Sequence, residues 1–162
     1  MKRYVYLVLV ACLTMFTATA CGSKTESTSE ENTAEQVTPA ERLAAAYDDF
    51  SKLYQDKGAD SSVDELAATM KELLSSLEAF IDSNPSRDDL LFILEKAQQM
   101  SRIKDRVEAK MDEETKITFK AKVEEAKKQT GCTDEYKATL NSQLTSIANK
   151  VLKPEDIEKM GE

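Results

Sequence analysis

From residue 38 onward the chain repeats one pattern: a residue that caps a helix, apolar residues three and four apart, and then a residue that cannot continue the helix. Thr38-Pro39-Ala40-Glu41 is a capping box, with Pro in the first helical position, where its missing N–H costs nothing. It predicts a helix to about Lys57, with Leu43, Tyr47, Phe50 and Tyr54 on one stripe and Gly58 as its stop. Ser62-Val63-Asp64-Glu65 repeats the box. Leu66, Met70, Leu73, Leu77 and Phe80 carry the periodicity on until Asn84-Pro85 ends it. Ser86, with Asp88 and Asp89 in the first turn, opens a third helix, whose stripe reads Leu90, Ile93, Ala97, Met100, Ile103, Val107 and Met111. A stripe of period 3.6 scatters its apolar residues over both faces of a strand, so the pattern demands an all-α fold.

Residues 112–128 break the rhythm, because Ile117, Phe119, Ala121 and Val123 alternate with polar residues as a strand would. Helix is still the expectation. A lone strand has no partner elsewhere in the chain, and the flanking Glu, Lys and Ala are strong helix formers. Two readings stay open here: continuation of the third helix, or a fourth that begins after a bend near Asp112. Gly131 closes the segment, and Thr133 or Asp134 caps a last long helix carrying Tyr136, Leu140, Leu144, Ile147 and Val151 inward. Pro154 then starts a short terminal turn. Short connections predict that sequential helices run antiparallel, as a bundle of four or five. No residue-level repeat supports a solenoid.

The N-terminal part of the 162-residue chain has a different composition. Lys2 and Arg3 precede residues 4–16 (YVYLVLVACLTMF), an uncharged apolar run shorter than the roughly 20 residues of a spanning helix. This is the layout of a secretory signal, with a basic start and a short apolar centre. Small residues follow, Thr17 to Ala20, and Ala18-Thr19-Ala20 fits the small-residue rule for signal cleavage. Next comes Cys21. Residues 22–37 (GSKTESTSEENTAEQV) hold Val37 as their sole large apolar residue, so they are expected to form a solvated, disordered tether rather than a core. The division is therefore 1–20 signal peptide, 21–37 Cys21 and tether, and 38–162 helical domain, enough chain for one core.

Ala18-Thr19-Ala20-Cys21 resembles the lipobox of the bacterial lipoprotein class, in which small or aliphatic residues precede a Cys that is diacylated, becomes the new N-terminus by cleavage and is acylated again. Ala18 stands where that class usually has Leu, the relaxed form that some Gram-negative lineages use. The resemblance implies lipidation at Cys21 and attachment to a membrane through acyl chains. Leu9-Val10-Ala11-Cys12 is the closer literal match, but cleavage there leaves only residues 4–11 as the apolar run. That is the short end of the usual range of about 7 to 15, and it strands Leu13 to Phe16 at the mature terminus. Cleavage without lipid, giving a soluble periplasmic protein, and an uncleaved anchor are the other readings. Gly22 is not the Asp that retains enteric lipoproteins in the inner membrane, so by the family rule the outer membrane is favoured, with periplasmic and surface-facing orientations both open.

Net charge is −8, and loss of residues 1–20, with Lys2 and Arg3 as their charges, leaves −10. An acidic balance argues against nucleic acid and against attraction to anionic headgroups. The chain contains no His and no Trp, which excludes Ser-His, Cys-His and His-ligated zinc arrangements. Carboxylate, Lys and Cys chemistry is left. The pairs Asp48-Asp49 and Asp88-Asp89 and the run Asp112-Glu113-Glu114 point to helix dipole and solvent roles, because neighbours on a helix diverge by about 100°. Lys116, Lys120, Lys127 and Lys128, interleaved with Glu113, Glu124 and Glu125, read as a salt-laced surface. Tyr47 and Tyr54 have core spacing rather than that of a sugar platform. Cys132, at a helix start, is expected to be buried or to pair between chains, since lipidation of Cys21 leaves it without an intramolecular partner. No catalytic residue, cofactor or metal site is expected.

Two function classes follow. The first is a non-enzymatic, membrane-anchored module that binds a protein partner of unknown identity. The second is a small-ligand receptor or enzyme with a carboxylate, Lys and Tyr site inside the bundle; polar intruders in the apolar stripes would mark it, and Lys104 is the sole plausible one.

Overall fold

The computed structural model describes residues 37–159, so the signal peptide, Cys21 and nearly all of the tether lie outside the described residues. The described chain is all-α. It comprises α1 (Pro39–Asp56), a single 3₁₀ turn (Gly58–Asp60), α2 (Val63–Asp82), α3 (Arg87–Ala109), α4 (Glu113–Thr130), α5 (Asp134–Val151) and a short α6 (Pro154–Lys159). Each long helix begins at a side-chain cap. Thr38 and Glu41 satisfy each other's backbone N–H groups, as do Ser62 and Glu65. Ser86 and Asp89 form a third such box, with Asp in the role of Glu. A cap of this kind contributes about 1 kcal/mol.

Residues 112–128 form a separate helix rather than a continuation of α3. The Asp112 carboxylate accepts the Thr115 N–H at 2.8 Å, which starts a new helix where α3 has just ended at Lys110. Thr133, not Asp134, caps α5. Gly131 closes α4 with φ of 68°, a left-handed conformation that a Cβ would strain.

Cross-helix contacts set the directions. Arg42 meets Glu72 and Lys57 meets Glu65, so α1 and α2 run antiparallel. Asp48 meets Lys96, and Gly58 lies against Val107 and Met111, so α1 and α3 run in the same sense. Likewise Lys122 reaches the carbonyls of Ala59 and Ser61, just before α2, and α5 brings Tyr136 to Glu78 near the end of α2. α1, α2 and α3 thus alternate in direction, while the extensive packing pairs α1 with α2 and α3, and α2 with α4. The first four helices pack in the order α3, α1, α2, α4, and α5 lies against α2 and α3.

The predicted stripes meet in one core. Leu43, Tyr47, Phe50 and Tyr54 of α1 are buried, as are Leu66, Met70, Leu73, Leu77 and Phe80 of α2. Phe50 stacks on Tyr54 at 4.9 Å between ring centroids, and Tyr54 meets the edge of Phe119 at 5.3 Å, which seats α4 on the end of α1. The α3 stripe is buried from Leu90 to Met100 and only partly covered at Ile103, Val107 and Met111. In α4, Phe119, Val123 and Ala126 face the core at helical spacing, and Ile117 is 69% exposed, so the alternating pattern of this segment has no counterpart in its burial.

Candidate functional site

Cys21, the expected lipidation site, lies outside the described residues. The chemistry-bearing groups inside them gather at the corner between α4 and α5. Gly131 turns the chain, Cys132 follows, and Thr133 opens α5. Cys132 is 7% exposed and its thiol is pushed up to about 11 by burial. The ammonium groups of Lys137 and Lys127 oppose that shift without overcoming it, so desolvation defeats the activation that a helix start would supply. The free Cys132 is buried in this conformation, and a disulfide between chains requires this corner to open.

Two neighbours were not legible as buried. Lys127 and Lys137 are as deeply enclosed as core apolar residues, and each ammonium donates to a carboxylate three residues earlier, Glu124 and Asp134. Burial of a charge requires such a partner, and the i, i−3 acid is the one signal in the sequence that permits it. Half-buried Tyr136 is held beside them by a hydrogen bond with Glu78 of α2, and burial and the Glu78 charge raise its phenol. A buried thiol, two paired ammonium groups and a phenol make a polar corner with every charge matched to an acid.

The acidic groups singled out in the sequence are dispersed by the fold. Asp48 holds Lys96 across the α1–α3 contact at 2.8 Å, Asp88 pairs with Arg87, Asp89 serves the capping box, and Asp112 caps α4. Backbone and side-chain hydrogen bonds from Thr115 hold the Asp112 carboxyl below its ordinary range, and Lys116 does the same for Glu113. Among the described residues no three or more Cys, Asp or Glu side chains converge where they could hold a metal ion. Lys116 and Lys128 pair with Glu113 and Glu125 on the α4 surface, as the interleaved spacing predicts. Tyr47 and Tyr54 are core residues, with burial driving the Tyr54 phenol far up. Lys104 does not enter the core: it stays partly exposed and pairs with Glu108, one turn on, at 3.4 Å.

One contact between distant segments had no local signal at all. Arg87, the first residue of α3, grips Asp156 of α6 bidentately through one guanidinium edge, with Nε donating to Oδ2 at 2.9 Å and Nη2 to Oδ1. Asp156 also accepts the backbone N–H of Lys153 and is 4% exposed, so it pins the C-terminal helix to the start of α3.

No family model matches the chain, and neither a curated protein nor a solved structure matches it. No helix among the described residues is long and apolar enough to cross a membrane.

Proposed function

We propose that this protein is an envelope lipoprotein: exported by residues 1–20, anchored through acyl chains on Cys21, and presenting residues 38–162 as a non-enzymatic helical module that binds a protein partner. The observation that carries the reading is the order of segments in the sequence. Small residues lead to Cys21, a polar linker follows, and the first helix cap stands at Thr38. A single acyl chain binds membranes weakly, so the multiple acylation that the lipobox resemblance implies is what makes such an anchor stable. Gly22 favours the outer membrane. The acidic mature chain, at −10, agrees with attachment by lipid rather than by charge.

A binding role is supported by the chemistry of the domain. Many of its titratable groups serve caps, surface pairs and the enclosed corner around Cys132, which suits a scaffold better than a reactive site. The direct test is mass spectrometry of the mature N-terminus with and without globomycin. A diacylglyceryl-modified Cys21 and globomycin-sensitive processing are the expected results; an unmodified Cys21 refutes the anchor. Crosslinking in intact envelopes then tests the second half. A reproducible protein partner is expected, and recovery of a small molecule alone would overturn the binding module in favour of a ligand receptor.

A further inference from the structure

No further inference is drawn: the strongest candidate, the half-covered apolar stripe of Ile103, Val107 and Met111 on the C-terminal half of α3, carries nothing because nothing in the structure shows what covers it.

Discussion

Two glycines with positive φ offer a measure of how tightly α3 packs on the end of α1. Gly58 and Gly131 both have positive φ, 48° and 68°. An alanine at either site must adopt a left-handed conformation, which costs about 1–2 kcal/mol, while it stabilises by about 0.4–1 kcal/mol through a less mobile unfolded chain. These contributions are alike at the two sites and cancel in their difference. The surroundings are not alike. A Cβ at Gly131 meets nothing within 4 Å, whereas a Cβ at Gly58 lies 3.2 Å from Val107 Cγ1 and 3.6 Å from the Met111 methyl. The α1 end must therefore move off α3 by a few tenths of an ångström, or Val107 must give. Overpacking costs typically about 1–3 kcal/mol, and the partial exposure of Val107 places this case at the low end. Gly131→Ala is thus expected to cost about 0.5–1 kcal/mol, and Gly58→Ala about 1 kcal/mol more. Urea denaturation followed by circular dichroism supplies both values. The double variant Gly58→Ala/Val107→Ala should recover most of that extra cost, since the truncated side chain leaves room for the new methyl. Equal losses at the two glycines, or no coupling between residues 58 and 107, would refute the packing argument and leave backbone strain as the whole effect.

Three further outcomes are expected. Asp156, ordinarily near 3.8, is held down to about 2 first by the Arg87 hydrogen bond, and Glu65, ordinarily near 4.5, is held down to about 2 first by Lys57 and then by Ser62. Both are depressed on folding, so their contribution is complete above about 4.5 and is lost as pH falls from there through about 2. Acid unfolding should show a loss in that window, and Asp156→Asn should diminish it; stability that stays level down to pH 2 in the parent would contradict both assignments. Cys132, its thiol raised to about 11, should react with a disulfide reagent far more slowly in the folded protein than in denaturant, and prompt labelling of the native chain would show the corner to be open. Phe119→Ala removes a buried ring that seats α4 against Tyr54, at an expected cost of about 3–5 kcal/mol in the same urea assay; a loss below that of an ordinary surface substitution would mean that α4 is not fastened through this ring.

Local chemistry made the helices legible from the sequence. A cap is a contact between residues three apart, and a stripe is a spacing along one element, so Thr38, Ser62 and Ser86 announce α1, α2 and α3 before any packing is known. The same locality underlies the proposal for Cys21, which rests on the sequence segments around it. What needed the third dimension was everything decided between elements. Short loops predict that neighbours run antiparallel, as α1, α2 and α3 do, but the loop says nothing of which helix receives the other side of each stripe. Stacking α1 on α3 and α2 on α4 answers that, and with it the burial of Phe119 over Ile117. Lys127 reads as a surface charge, and Lys137 carries no sequence signal of burial, because their type is usually solvated; enclosure by the α4–α5 corner, together with an acid one turn earlier, makes their burial tolerable. Arg87 and Asp156 stand 69 residues apart in the chain and carry no motif that links them. Residue spacing therefore determines helices, their ends and the proposed anchor, whereas the choice among packing partners belongs to the tertiary structure, because apolar stripes are interchangeable until shape and charge on both faces are matched at once.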